Sequence, residues 1–358
     1  MSGLSPEQML FQAQCLEQLG RFADALAAYR QALPRITDNM PAQVRYWRLV
    51  RALRPPSPAA ITVIWQLAPE KSWEREWVRH LLSSLPHTEI IDGSHSAFHD
   101  NALVIDNFIG PSKRPYYLEL LKRGHRFGLI HLSDERYVDD CSAYDFANVV
   151  IRNYWSALHA ANRRVLTVPL GTMNGFAGNA GRPASARTRI WSFAGEINKS
   201  TRQAMIAALR TLDPGFVHPT GASSNPSPGA AAPLGIEDYA AILSDTIFAP
   251  CPSGWVNLDS FRVCEALEAG CIPVVERRPG YDYFQLFLGD HPMVTIDDWT
   301  DAPAAMRILL DNPETLEQRR RACADWWQMM RRTLVERVRD HVTAGFAGAF
   351  ASAQAAPA

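Results

Sequence analysis

The chain has 358 residues, 47% of them hydrophobic, and a formal net charge of −1. That length suits two α/β domains with a small appendage, and the apolar fraction is enough for real cores. The balanced charge lacks the basic excess of a nucleic-acid binder. No apolar run reaches the length of a membrane span. The opening MSGLSPEQML has no basic start followed by an apolar core, as a signal peptide would. The expectation is a soluble cytoplasmic protein, at most peripheral at the membrane.

Residues 8–33 are rich in Ala, Leu, Gln and Glu and predict a pair of helices. Within LGRFADALAAYRQAL, Gly20 permits a left-handed turn between them. Ala25 lets the helices approach, and Phe22 and Tyr29 fill the groove. Ala13, Leu16, Gly20, Phe22, Ala25, Tyr29 and Ala32 stand at the spacing of a tetratricopeptide repeat, which the segment resembles. One such unit cannot bury its own apolar face. It must lean on a helix over 44–53, on the body of the protein or on another chain. A protein partner or self-association through this segment is therefore an expectation, beside plain packing. The prolines of RPPSP, from Arg54, cannot sit inside a helix or a central strand. They mark the boundary between a helical segment over 1–54 and a body that starts at 59.

From Ile61 the pattern becomes β/α alternation. ITVIWQLA, TEIIDG, ALVIDNFI, RFGLIHLSD and RVLTVPLGT are short runs rich in Val, Ile and Leu, as in strands buried on both faces of a parallel sheet. Helical stretches at 74–84 and 115–123 separate them. This predicts a doubly wound, Rossmann-like domain over 59–180, and GFAGNAGRPASA after it reads as a linker. The alternation restarts over 188–345. RIWSFAG, GFVHPTG, TIFAPCP, CIPVVE and MVTI read as strands, and 200–212, 236–243 and 260–269 as helices. SSNPSPGAAAPLG, from Ser223, is a loop long enough to move. A helix over 313–342 follows, with WWQMM as apolar surface; such a terminal helix can cross back to the first domain. Arg319, Arg320, Arg321, Arg331 and Arg332 interleave with acids there, as on a solvated face. The final ASAQAAPA reads as disordered. The six cysteines are scattered, with no CxxC pair and no histidine pair at ligand spacing, so a structural zinc site is not expected.

Ligands of doubly wound sheets bind at the carboxyl ends of the strands. TIFAPCPSGWVNLDSFRVCEALEAGCIPVVE, over 246–276, reads as strand, glycine-bearing loop, helix, tight turn and strand. Gly254 lets the backbone approach a ligand closely. Asp259 or Ser260 suits the cap of the helix, whose free N–H groups favour a phosphate. Arg262 and Glu265 share a face at i, i+3. Arg262 could meet a diphosphate, and Glu265 could accept hydrogen bonds from a ribose. The plain alternative is a generic βαβ unit with a surface Arg–Glu pair.

The residues themselves weigh against that alternative. Phe248, Pro252, Gly254, Ser260, Arg262, Glu265, Ala266, Leu267, Gly270, Cys271, Ile272, Pro273 and Val274 resemble the hallmark of the exostosin family of inverting glycosyltransferases. That hallmark reads F-C-L-x-P-x-G and then S-x-R-x-x-E-A-L-x-x-G-C-I-P-V. The likeness is greatest to the ribitol xylosyltransferase branch. Phe193-Ala194-Gly195-Glu196, followed by Lys199 and Arg202, is similar to the same family. Gly195 ends a strand on the nucleoside side. Two cations at a helix start oppose the helix dipole and can neutralise a leaving diphosphate. The resemblance covers about 190–275 firmly and the first domain weakly. It implies an α/β fold of the GT-B type, with two Rossmann-like domains facing a cleft, acceptor side first and donor side second. It also implies a nucleotide-sugar donor, UDP before others, and no resident cofactor. The chain has no Asp-x-Asp triplet, so metal independence is expected.

In the first domain HLSDERY, over 131–137, ends a strand. In such a fold that points Asp134 and Glu135 into the cleft, where a carboxylate can serve as general base. His131 competes for that role, and Asp134 could instead cap the next helix. The rings of RNYW, from Arg152, can stack on a sugar or pack in the core. Unlike animal members of the family, the sequence shows no membrane anchor and carries the repeat-like segment. The expectation is an inverting transferase building a bacterial surface polysaccharide or similar glycan. Two rivals stand: a non-catalytic scaffold that recruits a partner through the repeat-like segment, and a nucleotide-sugar epimerase.

Overall fold

The N-terminal helices close on a small core of their own. Helix α1 (Pro6–Gln18) and helix α2 (Phe22–Ala32) are joined at Gly20, whose φ is +73°. Ala13, Ala25, Tyr29 and Ala32 are fully buried between them, and α3 (Met40–Leu53) adds Ala42 and Leu49. Arg51 of α3 donates to the Phe146 carbonyl at 2.5 Å and Arg54 to that of Gly124 at 3.1 Å. The segment thus leans both on its third helix and on the body. The structure is a computed structural model that describes residues 4–348 apart from 37–38, 56–59, 69–70 and 222–230. Most of the proline cluster, the first part of the loop from Ser223 and the ASAQAAPA tail lie outside the described residues.

The body holds two parallel sheets. The first has β1 (Ile61–Trp65), β2 (His87–Ile91), β3 (Ala102–Asn107), β4 (Phe127–Leu132), β5 (Val149–Arg152) and β6 (Val165–Thr167), in the order β2-β1-β3-β4-β5-β6. The second has β7 (Arg189–Glu196), β8 (Gly215–Thr220), β9 (Thr246–Pro250), β10 (Ile272–Glu276) and β11 (Val294–Ile296), in the order β11-β10-β9-β7-β8. Every pairing is parallel. Both sheets place their second strand outside the first and run outward from the third on the other side. The order therefore reverses between β1 and β3 in one sheet and between β7 and β9 in the other. This is the doubly wound, two-domain α/β architecture of the GT-B type, and these reversals are where such sheets form ligand crevices.

Around the first sheet lie α4 (Arg75–Leu81), α5 (Arg114–Lys122) and the short α6 (Ala157–Ala160). Around the second lie α7 (Arg202–Leu209), α8 (Ile236–Ser244), α9 (Phe261–Glu268), α10 (Tyr283–Leu288) and α11 (Ala302–Leu310). Helices α10 and α11 have no counterpart in the sequence reading, and β5 surfaces there only through RNYW.

The last helix, α12 (Pro313–Phe346), runs 34 residues, about 50 Å at 1.5 Å per residue. It returns to the first domain as expected. Trp327 stacks on Trp77 with ring centroids 5.7 Å apart and donates to Glu268 at 2.7 Å. His341 meets the Arg164 carbonyl at 2.9 Å. One of its arginines departs from the solvated-face reading. Arg320 is buried, donating to the Ala180 carbonyl at 2.7 Å and pairing with Glu317. Arg331 pairs with Glu268 of α9 at 2.8 Å. Among the described residues no helix is long and apolar enough to cross a membrane.

Candidate functional site

The carboxyl ends of β7 and β9 meet at the order reversal of the second sheet. Here Gly195, the last residue but one of β7, has φ +146°, and a Cβ there would lie 2.9 Å from Nη2 of Arg262. Arg262 enters from the first turn of α9. Its Nη2 donates to the Ala194 carbonyl at 2.8 Å, and its guanidinium lies 4.6 Å from the Phe193 ring centroid. Its Nε is buried without a partner. Ser260 holds the cap position with extended backbone, φ −148° and ψ 155°, yet its hydroxyl makes no capping hydrogen bond. That hydroxyl oxygen is also buried and unpartnered. The start of α9 thus carries no side-chain cap, an orphaned hydroxyl and, two residues on, an orphaned guanidinium N–H. Such groups call for an acceptor with negative charge.

The other two residues of this motif point elsewhere. Asp259 turns its carboxylate toward the stretch joining the domains and accepts from the Leu170 N–H at 3.3 Å. Burial pushes its pKa up to about 7, opposed by the Leu170 N–H and reinforced by the charge of Glu135. Glu265 is likewise buried and accepts from the Met173 N–H at 3.3 Å, and burial raises its pKa too. The carboxylate read as a ribose acceptor is thus placed against the interdomain stretch.

The two cations after β7 separate. Arg202 is 6% exposed. Its Nε and Nη2 donate to the Ser253 carbonyl at 3.3 and 3.1 Å, and Nη1 to the Glu196 carbonyl at 2.8 Å. Burial, and then the charge of Arg262, lower its pKa to about 10. It staples the ends of β7 and β9 together from beneath. Lys199 stays at the rim, paired with Glu196 at 2.9 Å and 4.5 Å from the Trp255 ring centroid.

In the first domain, His131, next to last in β4, lies inside a closed network. Its Nδ1 meets the Tyr144 hydroxyl at 2.6 Å and its Nε2 meets Asp139 at 2.8 Å, and it is 1% exposed. Asp134 accepts the Val138 and Asp139 N–H groups at 2.9 and 3.3 Å and the Arg152 guanidinium at 3.1 Å. It shapes a turn rather than capping a helix. His131, Asp134 and Cys141 bring ligand atoms within 4.8 Å of one another. Arg152, bonded to Asp134, already supplies the positive charge there, so the cluster does not suit a metal ion.

Glu135 behaves differently. It leaves its own domain, and its Oε1 accepts the N–H groups of Trp255, Val256 and Asn257, at 2.6, 3.0 and 3.3 Å. Beside this contact lies an interdomain cavity of about 540 Å³ lined by Tyr137, Trp155, Asn257, Arg278, Tyr281 and Tyr283. The Trp155 N–H donates to the Tyr283 hydroxyl at 3.0 Å across the domain boundary. Of these linings only Trp155 was singled out in the sequence. Tyr281 and Tyr283 sit in a turn and a short helix with no motif of their own, and only the meeting of two domains gives them a shared purpose.

Residues 182–347 match the family model described as the RXYLT1 C-terminal domain. The likeness to the ribitol xylosyltransferase branch, read from 190–275, therefore extends over the second domain and α12. No curated protein matches the chain. Among solved structures, the pneumococcal O-GlcNAc transferase GtfA, in complex with UDP and GlcNAc, is 14% identical with a TM-score of 0.45. The match covers 69% of this chain and 57% of that one, so the chain spans a little over half the length of that protein. Anabaena HepE, in complex with UDP and glucose, is 7% identical, with 80% and 100% covered and a TM-score of 0.49. Sucrose-phosphate synthase from Thermosynechococcus elongatus is 11% identical, with 78% and 97% covered and a TM-score of 0.47.

Proposed function

We infer that this chain is a glycosyltransferase that moves a sugar from a UDP-sugar to a hydroxyl of a glycan acceptor, with inversion and without a metal ion. The observation that carries this reading is the set of unpartnered donors at the start of α9, beside the end of β7. The uncapped start of α9, the orphaned Ser260 hydroxyl and the orphaned Nε of Arg262 form a seat for a diphosphate. They lie in the domain that matches the RXYLT1 C-terminal domain.

Of the three first-domain candidates, His131 and Asp134 are enclosed and fully bonded. Glu135 alone reaches the cleft, and we assign it the role of base. In the proposed reaction the acceptor hydroxyl gives its proton to the Glu135 carboxylate. The oxygen attacks the anomeric carbon from the face opposite the leaving group, and the bond from that carbon to the diphosphate oxygen breaks. UDP departs with the charge, which Arg262, Ser260, Lys199 and the start of α9 stabilise; one such group typically lowers a barrier by about 3–4 kcal/mol. Arg202 acts from behind by fixing the two strand ends. The cavity beside Glu135, with its aromatic faces and few polar groups, suits a sugar ring of the acceptor. Surface polysaccharide synthesis in the cytoplasm is the setting we propose, and six unpaired cysteines accord with a reducing compartment. The N-terminal helices close on their own core, which favours a packing role for them over docking of a partner.

The test is turnover of a panel of nucleotide sugars with oligosaccharide acceptors, followed by release of nucleoside diphosphate and by the anomeric configuration of the product. The reading expects a UDP-sugar to be consumed, an inverted linkage and full activity in chelator. Interconversion of the sugar with no acceptor consumed would make the protein an epimerase. No turnover with any donor would leave the scaffold.

A further inference from the structure

The loop after β9 contains a second feature of the same site, and it is already filled. The N–H groups of Trp255, Val256 and Asn257 converge on a single oxygen, Oε1 of Glu135, at 2.6, 3.0 and 3.3 Å. Successive backbone N–H groups in a concave turn form an anion-binding nest. Gly254 completes it, because a Cβ at that position would lie 2.3 Å from the same carboxylate oxygen. The nest therefore depends on a residue with no side chain. It lies at the mouth of the cleft, where Trp255 is 52% exposed, so a competing anion from solution can reach it. Lys199 stands 4.5 Å and Arg136 5.7 Å from the Trp255 ring centroid, and both favour negative charge there.

We propose that the loop at Gly254–Asn257 is a phosphate seat, and that Glu135 occupies it as an internal stand-in until the donor's diphosphate displaces it. The idea rests on the donor reading above and adds regulation to it. A tethered carboxylate competes at a high effective concentration. Nucleotide binds only the fraction of molecules in which the seat is vacant, so its apparent affinity is reduced by that fraction. While seated, Glu135 has its Oε1 committed to three N–H groups and joins the two domains. When a phosphate takes its place, the carboxylate is released beside the leaving group and the aromatic cavity. Donor binding thus frees the base, and donor precedes acceptor.

The experiment is calorimetric titration of the full chain with UDP and with inorganic pyrophosphate, for wild type, Glu135→Ala, Glu135→Gln and Arg262→Ala. The latch predicts binding of both anions about tenfold tighter in Glu135→Ala, the scale of one charge-assisted hydrogen bond. Glu135→Gln should show a smaller gain, and it carries the test should the alanine variant fail to fold. Equal or weaker binding in both Glu135 variants, with UDP binding still lost in Arg262→Ala, overturns the latch and leaves the donor site standing. Absence of binding in all four chains overturns both.

Discussion

Arg202 and Arg262 converge on the same strand ends and serve different purposes. Arg202 spends its donors on the carbonyls of Ser253 and Glu196 and is almost wholly buried. Arg202→Ala should cost on the order of 2–4 kcal/mol of stability, because it strands the buried Ser253 carbonyl and the half-buried one of Glu196; a denaturant melt reads this directly. Arg262 makes one carbonyl bond, to Ala194, and keeps its Nε free, so Arg262→Ala should cost less, about 1–2 kcal/mol. A large loss in Arg262→Ala with none in Arg202→Ala would reverse these assignments. The sequence revealed Arg262 through a long motif and gave Arg202 the same role through a shorter likeness and its place at a helix start. Spacing along a helix places a residue on a face but does not say whether that face meets a ligand or the strand beneath. Glu265 was misplaced for the same reason.

Asp259 shows the opposite limit, a residue read only as a cap. Its carboxyl ionises near 3.8 in the unfolded chain and near 7 in the fold. As pH rises, the unfolded state loses that proton first, so the folded state is progressively disfavoured between about pH 4 and pH 7. The penalty is absent below that window and complete above it, on the order of 2–4 kcal/mol. Asp259→Asn can still accept from the Leu170 N–H. It should raise Tm at pH 8 and match wild type at pH 4. An equal Tm difference at both values would show that the carboxylate charge is not the cause.

At the scale of elements, the parallel strands were legible because burial on both faces leaves unbroken runs of Val, Ile and Leu. Strand β5 and helices α10 and α11 were less so. The first is four residues long; α10 has only six residues between its Asp282 cap and Gly289, too few for a clear period, and α11 starts without a side-chain cap. Helix α12 was legible as a helix, but its arginines read as solvent-facing because the packed partner of Arg320 is a carbonyl 140 residues away. The WWQMM surface of that helix has a clear purpose in the fold. Trp327 is 1% exposed between Trp77 of the first domain and Glu268 of the second. Trp327→Ala should cost about 3–5 kcal/mol. A single cooperative melt at lower temperature is the expected form, and two separated transitions would show that α12 links the domains without making them one unit.

At the scale of the molecule, two parallel sheets of like strand order meet through the Glu135 contact with the loop after β9 and the cavity beside it, and the proposed site takes one part from each domain. The proposed donor part was visible in the sequence because its residues fall in two short runs, 193–202 and 246–276. In the first domain HLSDERY offered His131, Asp134 and Glu135 together, and the sequence could not choose among them, because Glu135 meets Trp255 from 120 residues away and no local pattern encodes such a pairing. The central claim is that the start of α9, with Ser260 and Arg262, holds a nucleoside diphosphate. Thermal shift with UDP, on wild type and Arg262→Ala, tests it most directly. At 100 times its dissociation constant a ligand adds about 2.7 kcal/mol of stability. The account predicts a clear rise in wild-type Tm with UDP and little or none in Arg262→Ala. An equal rise in both would place the nucleotide elsewhere, and no rise in wild type with any nucleoside diphosphate would contradict the account.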